Sequence, residues 1–220
     1  MDWDTWKEFY FKICKEFNFS YEKDKQARDI LEKYVVIPIT IIEKLIHNKK
    51  IVVCGAGPSL ETKLHKLKHD EMIIASDGAT IPLLENDIVP DIIVTDLDGK
   101  IDDIINAEKM GSKVIVHAHG DNIAEIEKYC NEFIFMAGTT QVEPKELVIN
   151  VGGFTDGDRA VYLAEHFKAE QISMIGMDFG IKIGKYSFTK NRDVKIKKLR
   201  WASFLIDHLK EKSSIPIIKR

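Results

Sequence analysis

Apolar residues near the start of the chain fall at helical spacing. Trp3, Trp6, Phe9 or Tyr10, Ile13 and Phe17 recur every three or four residues, which predicts an amphipathic helix with an aromatic face. Ala27, Ile30, Leu31 and Tyr34 give a second helix its inward face, and a third is expected from about Ile39 to His47, with Pro38 suited to its first turn. From Ile51 the pattern changes to short apolar runs, "IVVCG", "MIIAS", "IIVTD", "VIVHA", "FIFMA", "LVINV" and "ISMIG", separated by helical stretches. Short β-rich runs alternating with helices imply a mostly parallel sheet covered on both faces, because parallel strands need crossover helices. A last helix is expected from Val194 to Lys210, and "IPIIKR" reads as an edge strand that tolerates Pro216. The expected architecture is α/β and doubly wound: a helical N-terminal appendage over residues 1–48, then an α/β domain over residues 49–220.

Composition narrows the class without changing that picture. At 220 residues, 45% hydrophobic and 30% charged, the chain can bury a substantial core and is neither disordered nor of low complexity. A net charge of −3 gives no global field to draw it onto nucleic acid or anionic lipid, so neither is expected as a partner. Cys14, Cys54 and Cys130 are odd in number and far apart, which argues against a disulfide framework and structural zinc. "MDWDTWKEFY" lacks the features of a secretory signal, and "YVVIPITII" is too short to span a bilayer, so a cytoplasmic protein is expected. The face of Trp3, Trp6 and Tyr10 suits either the core or a homodimer contact.

Chemistry should gather where the strands end, since open α/β sheets bind ligands outside the carboxyl ends of their strands. In "VVCGAGPSL", Gly55 and Gly57 allow close backbone approach and Ser59 can cap the next helix, whose N-terminus would face a phosphate. The stretch lacks both the full dinucleotide fingerprint and a Walker loop, and a plain tight turn is the bland alternative. "TDLDGK" is sharper. If the chain stays extended, Asp96 and Asp98 point to one side, a pair suited to Mg²⁺ with phosphates and waters completing its octahedron. An Asx-turn with solvated carboxylates is the competing reading.

Asp77 in "ASDGAT" and Asp156 with Asp158 in "GGFTDGDR" bring further carboxylates to the same rim, although Thr155 or Asp156 also suits a helix N-cap. Arg159 is placed either to pair with Asp158 or to contact phosphate. His117 and His119 share a strand face with Asp121 just beyond; no third metal ligand stands at a known spacing, so His119 and Asp121 are read as nucleotide or substrate contacts. Lys182, Lys185, Lys190, Arg192, Lys195, Lys197, Lys198 and Arg200 form a basic run, either a solvated helix face or a source of cations for a triphosphate. "GKYSFT", from Gly184 to Thr189, reads as a loop or lid.

Taken in order, "SDGAT", "VPDIIVTDLDG" and "TDGDRA" resemble the motifs of thiamin pyrophosphokinases. Thr95 stands where that family has glycine before D-x-D, Gly99 replaces the serine after it, and Gly152, Gly153 and Phe154 precede Thr155, departures that point away from thiamin as acceptor. With "GAGPSL", "HAHGDN", "GGFTDGDRA" and "GMDFG" added, the whole chain resembles the archaeal-type 6-hydroxymethyl-7,8-dihydropterin diphosphokinases, a thiamin-pyrophosphokinase-like family of tetrahydromethanopterin synthesis.

The resemblance implies transfer of the β,γ-diphosphate of ATP to the hydroxymethyl oxygen of a dihydropterin, with release of AMP. Asp96 and Asp98 are then the expected Mg²⁺ ligands, with Asp77 and Asp156 as further metal or water-mediated contacts. Gly55, Gly57, Ser59, His119, Asp121 and Arg159 are expected around the nucleotide; Thr155 and Asp178 are expected near the substrate, Asp178 at the aminopyrimidine edge of the pterin. Two other classes stay open at this point. "IIVTDLDGK" also resembles the D-x-D-G start of haloacid-dehalogenase-type phosphatases, though the motif lies deep in the chain and Lys100 replaces the usual threonine. A nucleotide-sensing or glycosylation-associated relative would use the same rim without this turnover.

Overall fold

The computed structural model describes residues 1–189 and 191–220; Lys190, one of the basic run, lies outside the described residues. In chain order the elements are α1 (Trp3–Phe17), α2 (Tyr21–Leu31), α3 (Ile39–Ile46), β1 (Lys50–Cys54), α4 (Leu60–Lys63), β2 (Met72–Ser76), α5 (Thr80–Leu84), β3 (Ile92–Thr95), α6 (Ile101–Lys109), β4 (Lys113–Ala118), α7 (Ile123–Tyr129), β5 (Met136–Thr140), β6 (Val148–Ile149), α8 (Asp156–His166), β7 (Gln171–Ile175), α9 (Arg192–Lys212) and β8 (Ile217–Lys219). The strands form one sheet in the order β6-β5-β4-β3-β2-β1-β7-β8, and every pairing is parallel.

Side chains alternate along each strand, and here both faces are apolar: Ile51 and Val53 enter one core, Val52 and Cys54 the other. Helices α1, α3, α8 and α9 cover the first face, and α2 with α4 to α7 cover the second. The N-terminal helices are therefore split between the two layers. Trp6 and Tyr10 are fully buried, so the aromatic face of α1 belongs to the core; the Trp6 indole N–H donates to the Gln141 carbonyl at 2.9 Å. Pro38 sits at the N-cap of α3, one position before its first turn.

Tyr34, expected on the second helix, lies past its end at Leu31, and at three further boundaries that differ from expectation a side chain competes for backbone. The carboxylate of Glu108 takes the N–H groups of Ile134 and Phe135, both at 2.6 Å, so β5 starts only at Met136. Asn150 bonds the Val142 carbonyl and the Gly152 N–H, which turns the chain after two residues of β6. The side chain of Asn191 caps the N–H groups of Asp193 and Val194, so α9 begins at Arg192. The closing strand β8 does pair with β7 at the sheet edge. Strand β1 lies between β2 and β7, so the chain leaves it on one side and returns on the other. That reversal places a crevice at the carboxyl ends of β1 and β7.

Candidate active site

The D-x-D segment is a turn and not an extension of β3. The strand ends at Thr95, and Leu97 takes the left-handed backbone (φ 67°) with its side chain driven into the second core. The buried Thr95 hydroxyl accepts the Leu97 N–H at 2.8 Å and donates to the Asp77 carboxylate. One hydroxyl thus ties the end of β3 to the end of β2. Asp96 and Asp98 converge through this turn and not through strand alternation; one oxygen from each of Asp77, Asp96 and Asp98 lies within 4.8 Å of the others. A Cβ at position 99 would collide with the Asp77 carboxylate, which accounts for Gly99.

Crowding these carboxylates shifts their protons. Burial, helped by the charge of Asp96 and opposed by the Thr95 hydrogen bond, pushes Asp77 up to about 7. Desolvation in the crevice and the charges of Asp96 and Asp77 push Asp98 up to about 8, although its outer edge meets solvent. Asp156 is raised well above the ordinary range by burial and then by the same three carboxylates. Burial alone would also raise Asp96, but the hydrogen bond and charge of His119 hold it below its ordinary value. The His119 Nε2 lies 3.3 Å from Asp96 Oδ2, whereas Asp96 Oδ1 is buried with no partner. Three hard oxygen donors, one of them orphaned, fit a divalent cation.

Asn122, which the sequence reading missed, holds this arrangement from behind. Its Nδ2 donates to the carbonyls of Asp96 and His117, both at 2.7 Å, and its Oδ1 accepts the His119 N–H at 3.0 Å. Asp24 of α2, also missed, accepts the Gly120 N–H at 2.6 Å, the Gln141 amide at 2.9 Å and the Tyr10 hydroxyl at 2.5 Å. No periodicity marks either residue; each acts through a contact remote in sequence.

At the head of α8, Thr155 is the N-cap and its N–H donates to Asp158, which also takes the Phe154 N–H. Asp158 is thereby absorbed in the turn, while Asp156 faces the crevice. Arg159 is 1% exposed: its Nη1 reaches the Gly152 carbonyl at 3.3 Å, and its Nε and Nη2 have no partner. Burial lowers it to about 10, opposed by Asp158, Asp156 and Asp96. It lies behind the carboxylates and does not line the crevice. His117 is buried with Nδ1 3.2 Å from the Thr139 hydroxyl, and Asp121 is exposed and lines neither of the cavities beside Asp98.

Two cavities flank Asp98 and share it with Phe188 and Lys195. The first, with a free volume of about 100 Å³, is the crevice itself, lined by Gly55, Gly57, Asp77, Asp156, Asp178 and the loop from Lys182 to Phe188. Ser59 flanks it, its N–H held by the Asp178 carboxylate at 2.8 Å. The loop is a cover: Lys185 pairs with Glu61 at 2.9 Å, and the Tyr186 hydroxyl donates to Glu85 at 2.6 Å. The second, of about 560 Å³, is a groove between α7 and the start of α9, with Lys128, Lys195 and Lys198 along it. Of the basic run, Lys182 and Lys195 reach the crevice and Lys195 and Lys198 the groove.

A carboxylate cluster fit for a divalent cation, at the switch point of a doubly wound parallel sheet and beside clustered lysines, defines an α/β protein equipped to handle phosphate groups. In fold the chain is similar to the MAf glycosyltransferase from Magnetospirillum magneticum, at 15% identity and TM-score 0.51 over 79% of this chain and 30% of that one. The family model described as 6-hydroxymethylpterin diphosphokinase MptE-like matches residues 26–184. The 6-hydroxymethyl-7,8-dihydropterin pyrophosphokinase of Methanocaldococcus jannaschii is 41% identical over 100% of both chains. That of Pyrococcus furiosus is 42% identical over 100% of this chain and 99% of its own. The chain belongs to the archaeal family of 6-hydroxymethyl-7,8-dihydropterin diphosphokinases.

Proposed function

We propose that this protein transfers the β,γ-diphosphate of ATP to the hydroxymethyl oxygen of 6-hydroxymethyl-7,8-dihydropterin and releases AMP. The observation that carries the reading is the meeting of Asp77, Asp96 and Asp98 within 4.8 Å at the switch point, in a chain of this family. Mg²⁺, when held there, would neutralise charge on the transferring group and orient it. Asp96 and Asp98 are its proposed ligands, with Asp77 alongside and Asp156 in direct or water-mediated contact.

The rest falls to the chain's own side chains. Asn122 and Thr95 fix the ends of β2, β3 and β4 so that the carboxylates need no rearrangement. Lys195, at the wall between the cavities, is placed to offset charge as the oxygen bridging the α and β phosphorus atoms leaves with AMP. The pterin hydroxyl oxygen forms the new bond to the β phosphorus, and its proton passes to an ionised rim carboxylate or to solvent. The cover from Lys182 to Phe188 keeps water from competing as acceptor.

Product analysis after incubation with ATP, Mg²⁺ and the dihydropterin tests the reading. AMP and a pterin diphosphate are expected, with turnover stopped by EDTA and cut at least about a hundredfold in Asp96→Asn. Free phosphate from a generic phosphoester, or turnover indifferent to EDTA, would replace it with a phosphatase or metal-free mechanism.

A further inference from the structure

The glycine-rich turn after β1 invites a phosphate, yet most of its amides are already spent on the protein. Gly55 N–H donates to the Ile175 carbonyl at 2.9 Å, Gly57 N–H to the Gly176 carbonyl at 2.8 Å, and Leu60 N–H to the Gly57 carbonyl at 3.1 Å. Ser59 N–H goes to the Asp178 carboxylate at 2.8 Å, and Pro58 has none. Helix α4 is only four residues long and offers no developed dipole. The crevice beneath is rich in acceptors: Asp77, Asp98, Asp156 and Asp178 line it against Lys182 and Lys195. A polyphosphate would meet four carboxylates there against two lysines.

The groove on the other side of Asp98 has the opposite character. Lys128, Lys195 and Lys198 stand there against Asp98 and Glu125, in a volume of about 560 Å³ compared with about 100 Å³ for the crevice. Adenosine with three phosphates suits the wide basic side. A neutral, flat bicyclic ring suits the narrow acidic one, because its 2-amino group, N3–H and N8–H are donors.

We propose, resting on the function given above, that the crevice between the β1 and β7 ends is the pterin subsite, and that ATP lies in the lysine groove between α7 and α9. Asp178 then accepts from the 2-amino and N3–H edge through Oδ1; its Oδ2 holds the Ser59 N–H, and Oδ1 is 3.7 Å from the Lys219 ammonium. The ring lies along the glycine backbone under the Gly184–Phe188 cover. Its C6 hydroxymethyl group, at the far end from the 2-amino group, points to the carboxylate cluster. Each substrate reaches that cluster from its own side, as an in-line displacement requires.

The test is calorimetric titration of the full-length protein with two probes: 6-hydroxymethyl-7,8-dihydropterin, and α,β-methylene-ATP with Mg²⁺, whose α–β bridge cannot be cleaved. Asp178→Asn keeps an oxygen for Ser59 but turns an NH₂ toward the ring's donors. It is expected to weaken the pterin about tenfold or more and to leave the ATP analogue within twofold. The pair Lys128→Ala with Lys198→Ala is expected to do the reverse. The opposite pattern, or no change in either ligand for both variants, overturns the assignment. If circular dichroism shows Asp178→Asn misfolded, the lysine pair decides alone: loss of the analogue with the pterin retained supports the assignment, and any other pattern overturns it. A wild-type protein that binds no pterin and makes no AMP would instead sink the function itself, so the two failures are distinguishable.

Discussion

Asp77 and Asp98 keep protons that ordinary carboxylates lose near pH 4, with folded values of about 7 and about 8. Between those limits the unfolded chain has released protons that the folded chain retains. Their contribution to stability therefore falls as pH rises from about 4 to about 8 and is level beyond that. In metal-free protein the midpoint of thermal unfolding should decline over this window more steeply than in Asp77→Asn/Asp98→Asn. Saturating Mg²⁺ should raise the midpoint most at pH 8, where the fewest protons must be displaced. A wild-type slope no steeper than that of the double variant would show that the cluster does not store protons.

Among the elements, the two loops after β3 and β4 act as one because Asn122 bonds both. Asn122→Ala should raise the Mg²⁺ concentration for half-maximal activity about tenfold while far-UV circular dichroism stays unchanged; an unaltered Mg²⁺ requirement would make the amide a packing residue only. This coupling was not legible in the sequence. Most of the strands were, because those inside the sheet are buried on both faces and so read as continuous apolar runs. The convergence of Asp96 with Asp98 was legible as a motif, but its geometry was not, since nothing local announces that Leu97 turns inward. Gly55 and Gly57 announced a close approach of backbone; the direction in which their N–H groups point depends on Ile175 and Gly176, at and just past the end of β7, far along the chain.

Over the whole molecule, α1 and α3 share a core with β1 to β5, α8 and α9. Urea unfolding should accordingly be a single transition, seen alike by circular dichroism and by the fluorescence of Trp3, Trp6 and Trp201. Trp6→Ala should lower its free energy by about 3–5 kcal/mol. An early fluorescence change that precedes loss of sheet would show that α1 detaches on its own. The same sharing bears on any fragment cut to the stretch that matches the family, residues 26–184. Such a piece keeps the carboxylates but loses α1, β8 and α9. The edge of β7 would be bare, and so would the buried side of α8, where Tyr162 now donates to the Leu205 carbonyl at 2.9 Å. An open parallel edge beside an uncovered apolar face is a template for intermolecular strand addition, so the trimmed chain should accumulate as insoluble aggregate.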